Sequence, residues 1–571
     1  MAASVPTMAF DPDHVPFSRR GSYLACSLNA DGDDRRFFVR NVRGDVPHDR
    51  VFRLDLGGAP YAIEAAPARM ELSSAAGDVD VSFEAPSLLR FEGDCPITLS
   101  TYVPSEADPY QRPYVVRTGE AACRVNAYSH LSKYRLTARE GDLTIEAPWN
   151  GQDSPHVSVT ATPDSNGTVT LTLEEYRDEP RWIDSDATPD VAPPGAAFER
   201  WLAGIPSVPQ EFADTRRLAG YILWASTVAA ERRLDREAVY MSKNWMTSVW
   251  SWDHCFNALA LADGHPELAW DQFALPFDFQ TETGALPDSV NDAVVERNFV
   301  KPPIHGLTLR LLRERSDAVG RGKLAAIYEP LTRWTEWWFD HRDHDGDGIP
   351  AYHHGNDSGW DNGTTFLVEP PVEAPDLAAF LVLQLEELAT VADHLGKAAA
   401  ADRYGDRAST LLDRLLDHSW TGERFLAPHS GTHETVAAGD SLQSFLPLVL
   451  GDRLPADVRE RLLAGVAEEG RFLAPHGPAT EALSSSHYEQ DSYWRGPVWA
   501  PSTMLLVEGL AASGEHDLAI DVSRRFCRAV AESGFAENLD PESGEGYRDR
   551  AYTWTASVFL VLAHEYLQEG R

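Results

Sequence analysis

A multidomain chain is predicted, with an N-terminal β-sandwich followed by an all-α domain, and three observations predict it. The 571 residues exceed one ordinary domain. Apolar residues alternate with period two up to about residue 180 and recur with helical period beyond it. Between the two regimes, Asp184–Ala196 holds three prolines and three aspartates, which is linker composition. The boundaries read as 1–183 for the β-domain, 184–196 for the linker and 197–571 for the helical domain.

In the first domain, Val79, Val81 and Phe83 alternate with Asp80 and Ser82, as a half-buried strand requires. Val157, Val159 and Ala161 alternate in the same way, as do Val169, Leu171 and Leu173. The intervening Asn166-Gly167 predicts a hairpin, since both residues tolerate positive φ. Several short strands separated by turn residues suggest a sandwich.

Beyond the linker, apolar faces predict helices over 216–231, 266–280, 304–315, 324–341, 375–394 and 398–416. Further helices are predicted over 442–450, 458–466, 501–512, 516–533 and 552–568, with another starting near Trp252. About twelve helices without a short sequence repeat fit a toroid of helical hairpins better than a small bundle or a solenoid.

Composition narrows the function classes. Fifty basic and 88 acidic residues leave a net charge of −38, which repels phosphate backbones and anionic lipid surfaces. Neither nucleic acid nor a membrane is therefore an expected partner. The five cysteines are scattered without C-x-x-C spacing, which argues against a disulfide framework and against a zinc site. Residues 1–17 lack an apolar signal region, and no apolar run would span a bilayer. A cytoplasmic protein is expected.

The sixteen tryptophans are unevenly placed, fourteen of them at Trp201 or later. Trp334, Trp337 and Trp338 recur at helical spacing and read as core. Others stand in loops beside carboxylates, in three segments. The first is Trp250-Ser251-Trp252-Asp253. The second runs from Asp343-His344-Asp345-Gly346-Asp347-Gly348 to Ser358-Gly359-Trp360-Asp361-Asn362. The third is Tyr493-Trp494-Arg495-Gly496-Pro497-Val498-Trp499, followed by Glu537-Asn538. A sugar ring has apolar C–H faces and a hydroxyl rim, so indoles ringed by Asp, Glu, Arg and Asn suit a small carbohydrate. The same tryptophans would also serve as helix-end anchors.

These segments, in this order, resemble the catalytic domain of glycoside hydrolase family 63. Its relatives include processing α-glucosidase, mannosylglycerate and glucosylglycerate hydrolases, trehalase and amylo-α-1,6-glucosidase-like proteins. The resemblance covers roughly residues 197–568 and implies an (α/α)6 barrel that hydrolyses an α-glycosidic bond with inversion. It further implies that Asp361 is the general acid and Glu537 the general base. For inversion, two such carboxyls stand about 6.5–9.5 Å apart, leaving room for the attacking water.

By the same resemblance, Asp253 holds hydroxyls of the sugar at the cleavage point, and Arg495 binds hydroxyls or orients a catalytic carboxylate. Trp252, Trp360 and Trp499 are the stacking candidates, with Trp250, Trp494 and His305 completing the expected substrate-binding set. The loops 280–289 and 301–306 resemble barrel-mouth loops, although Pro302-Pro303 would equally suit the first turn of the next helix. A charged aglycone such as glycerate would call for a nearby cation, for which Lys243, Arg297 and Lys301 are available.

Asp343, Asp345 and Asp347 open with the spacing of a calcium loop, but an EF-hand would need Glu where His354 stands. A structural calcium ion at these three residues is therefore an irregular candidate; no other cofactor is expected. The leading expectation is an exo-acting α-glucosidase on a small glucoside or oligosaccharide. Two readings compete with it. One is an inverting disaccharide phosphorylase, for which phosphate would make the base at Glu537 unnecessary; the other is a glycan-binding protein with an inactive site.

Overall fold

The computed structural model describes residues 9–31, 34–44, 49–103, 112–181, 194–317, 319–367, 369–435 and 438–568. Two compact units result. One comprises Met1–Ala203, Gly220–Thr247 and Asp292–Val294; the other comprises Gly204–Ala219, Ser248–Asn291 and Val295–Arg571.

The two large sheets of the first unit are built from fourteen strands among the described residues. In chain order they are β1 (Leu24–Asp31), β2 (Asp34–Asn41), β3 (Arg50–Asp55), β4 (Tyr61–Ala66), β5 (Arg69–Ser74), β6 (Gly77–Ala85) and β7 (Leu88–Gly93). There follow β8 (Ile97–Thr101), β9 (Tyr114–Arg117), β10 (Ala122–Ala127), β11 (Ser132–Glu140), β12 (Asp142–Glu146), β13 (Ser158–Thr162) and β14 (Val169–Tyr176). They form two antiparallel sheets, ordered β1-β2-β3-β8-β13-β12 and β4-β5-β6-β7-β14-β11-β10-β9.

The alternation read at 79–83 is real, for β6 buries Val79, Val81 and Phe83 to about a hundredth of their surface or less. The hairpin expected at Asn166-Gly167 does not form. The turn is there, with Gly167 at φ +81° and the Asp164 carboxylate accepting the Asn166 and Thr168 N–H groups. Yet β13 joins the six-stranded sheet and β14 the eight-stranded one, so the turn is a corner between sheets. β14 is buried along its whole length between β7 and β11, which makes it a central strand and removes it from pairing with β13. Within this unit the Arg43 guanidinium is buried with Glu175 at 2.7 Å and Glu231 at 2.7 Å, so the charge is paired rather than stranded.

Residues 184–193 of the expected linker lie outside the described residues. Pro194, Gly195 and Ala196 are not linker but the opening of a helix, α1 (Pro194–Leu202). Proline suits a first helical turn because its missing N–H would have no partner there.

The helices that follow are α2 (Ala213–Ser226), α3 (Asp253–Leu261), α4 (Pro266–Asp278), α5 (His305–Arg315), α6 (Arg321–Arg342) and α7 (Pro375–His394). After them come α8 (Ala398–Ser419), α9 (Ala456–Ala467), α10 (Ala500–Ala512), α11 (His516–Ser533) and α12 (Thr553–Tyr566). A 3₁₀ segment, Leu442–Arg453, stands between α8 and α9 where an α-helix was expected; Pro447 inside it removes an N–H donor and Gly451 breaks its helical path.

Burial sorts these elements into two kinds. α7 and α12 are buried on nearly every face, whereas α8 buries only Tyr404, Ala408, Leu411, Leu415 and Ser419, an i, i+3, i+4 stripe. The inner segments pack in sequence: α3 on α5, α5 on α7, α7 on Leu442–Arg453, that segment on α10, α10 on α12, and α12 back on α3. α4, α8 and α11 each pack against a member of this inner ring. Among the described residues, no helix is long and apolar enough to cross a membrane.

Candidate active site

The chemistry-bearing segments lead into the inner helices. Trp250-Ser251-Trp252 leads into α3, whose first residue is Asp253. Trp250 pairs with Ser289 in a short antiparallel ladder, and the Ser251 N–H donates to the Asp288 carbonyl at 3.4 Å. Lys301, just before α5, stands 3.0 Å from the Asp288 carboxylate. Its ammonium also donates to the Asn356 carbonyl at 2.8 Å and to the Asn356 side-chain oxygen. Asn356 belongs to the turn Gly355–Ser358 that precedes Asp361.

Two glycines let that turn close. A Cβ on Gly355 would lie 2.2 Å from the Asp361 carbonyl oxygen. One on Gly359, at φ +74°, would lie 2.4 Å from Cζ2 of Trp252. A side chain at either site would push the Asp361 turn off its neighbours.

Asn362 fastens this turn to the third segment. Its side-chain oxygen accepts the Trp494 N–H at 2.8 Å, its amide donates to the Ser492 carbonyl at 3.0 Å, and its own carbonyl accepts Nε of Arg495 at 2.6 Å. Arg495 thus holds the backbone beside Asp361. Tyr493 takes φ +58°, a left-handed conformation unusual for a bulky residue, and its hydroxyl donates to Oε1 of Glu537 at 3.1 Å. Glu537 is tied in turn by its N–H to the Asp549 carbonyl at 2.7 Å.

Burial dominates the electrostatics. It pushes the Asp361 carboxyl above the ordinary aspartate range, with Asp288 adding to the rise and Lys301 opposing it. Burial also lifts Glu537 to about 7; the Tyr493 hydroxyl opposes this, while Asp549 and Asp361 reinforce it. Asp253 is pushed up to about 8 by burial against the pull of Lys301, and its Oδ2 has no hydrogen-bond partner among the described residues. Three carboxyls, a lysine and a tyrosine therefore share one largely buried region, an arrangement suited to splitting acid and base roles between neighbours.

Tyr493 carries a testable role. Its hydrogen bond favours the ionised form of Glu537, so Tyr493→Phe should raise the pKa of Glu537 further. The acid limb of the kcat/KM profile should then move upward by about one pH unit, with activity falling about five- to tenfold at neutral pH. An unchanged limb would remove Tyr493 from this role.

The tryptophans are placed differently from expectation. Trp252, Trp360, Trp494 and Trp499 are each 2% exposed or less. Trp494 lies parallel to Trp499 at 4.1 Å and against Trp360 at 4.9 Å, while Trp554 abuts both Trp499 and Trp252. The indoles pack on one another, Trp494 and Trp499 face to face and the others tilted or edge-on, with Trp250 the more open of the set. His305 is fully buried between Phe273, Phe277 and Trp334, its Nε2–H donating to the Ser251 carbonyl at 3.1 Å, and burial lowers its pKa to about 3. It is a neutral core histidine packed behind Ser251.

Of the cations named for a charged aglycone, Lys301 is engaged by Asp288 and Asn356. Lys243 belongs to the first unit, where it is buried on Ser18 and Ser22, and Arg297 caps the Phe279 carbonyl. Asp343, Asp345 and Asp347 do converge, but their oxygens accept backbone N–H groups of Gly346, Gly348, Asp347, Gly431 and Ile349.

Sequence reading did not assign Arg548, Asp549 or Tyr552. Arg548 lies 5.0 Å over the Tyr493 ring and donates to Asn538, and Tyr552 is wholly buried among Glu537, Tyr493 and Asp253. Only the run of charged and aromatic residues at 547–552 hinted at them.

Residues 246–555 match the family model described as the mannosylglycerate hydrolase MGH1-like glycoside hydrolase domain, and all the carboxylates above fall inside that span. The mannosylglycerate hydrolase of Rubrobacter radiotolerans is 25% identical over 55% of this chain and 90% of its own length. The glucosylglycerate hydrolase of Mycolicibacterium hassiacum is 24% identical over 55% of this chain and 91% of its own length. A bacterial glucoamylase solved with acarbose shares the fold over 99% of this chain and 96% of its own, with a TM-score of 0.61 and 13% identity.

Proposed function

Because the chain belongs to the MGH1-like glycoside hydrolase family and is a glycoside hydrolase, we propose that it is an inverting, exo-acting α-glycosidase for a small α-linked glycoside. In this reading Asp361 protonates the departing oxygen and Glu537 draws a proton from the attacking water. Asp253 holds hydroxyls of the sugar undergoing cleavage.

One observation carries the reading. Glu537 is a buried carboxyl and Asp361 a partly buried one, on separate loops that Asn362, Tyr493, Trp494 and Arg495 join into one unit. A raised pKa suits an acid at Asp361. A base at Glu537 is served by the Tyr493 hydrogen bond, which favours the ionised carboxylate needed to activate water. The ring of six inner segments, with helices packed outside it, supports reading the catalytic domain as an (α/α)6 barrel.

The sugar is proposed to be α-glucosyl and the aglycone small, with glycosylglycerates the first candidates by likeness to the relatives. A panel of α-glucosylglycerate, α-mannosylglycerate, α-linked disaccharides and short glucans tests this by released sugar, with and without phosphate. Turnover of one small α-glycoside independent of phosphate is expected. Cleavage only of long glucans from within the chain would overturn the exo reading, and glycosyl phosphate as product would favour a phosphorylase.

A further inference from the structure

Four side chains outside the carboxylate cluster meet at one corner of the second unit. Asp347 comes from the loop after α6, Glu373 from the residues before α7, His418 from the last turn of α8, and His433 from the loop after it. Each offers a ligand atom, and the four atoms all lie within 4.8 Å of one another. Nε2 of His418 is 2.5 Å from Oε2 of Glu373, and the His418 and His433 rings meet at 4.7 Å. His433 also reaches Asp347 at 3.7 Å and hydrogen-bonds Asp345 at 2.9 Å.

A second observation points to a ligand. The Glu373 side chain is 0% exposed, and its other oxygen, Oε1, has no hydrogen-bond partner among the described residues. A buried carboxylate oxygen without a partner is costly, and a cation at the cluster would remove that cost.

The backbone holds the segments in place. Tyr352 bridges Val372, Val372 bridges His429, and the Glu373 N–H donates to the Pro428 carbonyl at 2.9 Å. The His433 N–H closes a turn on the His429 carbonyl at 2.9 Å. Glu373 and His433 are therefore brought together by bridges rather than by chance side-chain positions.

We infer that Asp347, Glu373, His418 and His433 form a structural site for a divalent transition-metal ion of zinc type. Two imidazoles and two carboxylates are a four-ligand set for zinc, whereas calcium takes six to eight oxygens. Zinc–nitrogen bonds of about 2.0–2.1 Å set tetrahedral ligand atoms ~3.3 Å apart, so modest side-chain rotations would close the cluster. The ion would tie the stretch from Asp347 to Glu373, which carries Asp361, to the end of α8.

The test uses the full chain stripped with EDTA and titrated with cobalt(II), read by visible absorption, and with zinc, read by calorimetry. One equivalent is expected to bind, with tetrahedral cobalt absorption and a raised thermal midpoint. His433→Gln, at a half-exposed position, should weaken binding at least tenfold, as should His418→Gln, and Asp361→Asn should leave it intact. Absence of stoichiometric uptake would overturn the site, as would uptake insensitive to both histidine variants. Binding of calcium without cobalt or zinc would also overturn it.

Discussion

Asp361→Asn should lower kcat on an unactivated α-glycoside by about 10²–10⁴-fold while leaving the fold intact. The amide keeps the shape of the carboxyl but holds no proton to give to the leaving oxygen. The neighbours favour survival of the fold. Burial already disfavours charge at Asp361, so a neutral isostere removes a cost rather than a stabilising ion. The loss should also depend on the leaving group. A glycosyl fluoride needs little protonation to depart, so the variant should recover most of its rate on the α-fluoride of the same sugar. A variant equally slow on both substrates would show that Asp361 does not act as the acid.

Glu537→Gln should lower kcat by a similar ~10²–10⁴-fold, without rescue by a better leaving group, because the missing step is activation of water. The pH dependence separates the two residues further. Glu537 works as a base only when ionised, and its pKa is pushed up to about 7. Wild-type kcat/KM should therefore fall about tenfold per unit as pH drops below 7.

Stability should move the opposite way. A carboxyl whose folded pKa is raised is accommodated best when protonated, and its contribution is lost as pH rises through about 7. Above that pH, Glu537→Gln should be the more stable protein, by up to about 3 kcal/mol, as read from denaturant unfolding at pH 8. Near-normal activity, or rescue by the fluoride, would take the base role from Glu537.

Much of the helical domain was legible because its boundaries are written locally. Pro375 opens α7 and the expected range 375–394 is the observed one; α11 likewise begins at His516 and ends at Ser533 before Gly534, which takes φ +81°. The β-domain was legible in its alternation and not in its pairing. Asn166-Gly167 dictates a turn, but which sheet each arm joins depends on partners such as β7 and β11, whose choice is a long-range matter.

Within the candidate site, Asp361 and Glu537 were singled out by their motifs. What those motifs could not convey was mutual burial. The tryptophans looked like open stacking platforms because their loop setting is visible in sequence, but the 4.1 Å pairing of Trp494 with Trp499 is not. His305 read as a mouth residue from its neighbours Lys301-Pro302-Pro303, yet α5 turns it into the core against Phe277. Tyr493 was visible as part of a motif, but only its positive φ reveals that the backbone is bent to aim its hydroxyl at Glu537. Lys301 was considered for a substrate anion; the structure places it among Asp288 and Asn356, where it offsets the charge of the surrounding aspartates.

The proposed mechanism needs two carboxyls acting from opposite sides of one α-glycosidic bond. Proton NMR of the first turnovers on whichever α-linked glycoside the panel selects tests this directly, before mutarotation mixes the anomers. The sugar should appear first as its β-anomer, which is the outcome of a single displacement by water activated at Glu537. Initial release of the α-anomer would contradict inversion and, with it, the roles given to Asp361 and Glu537.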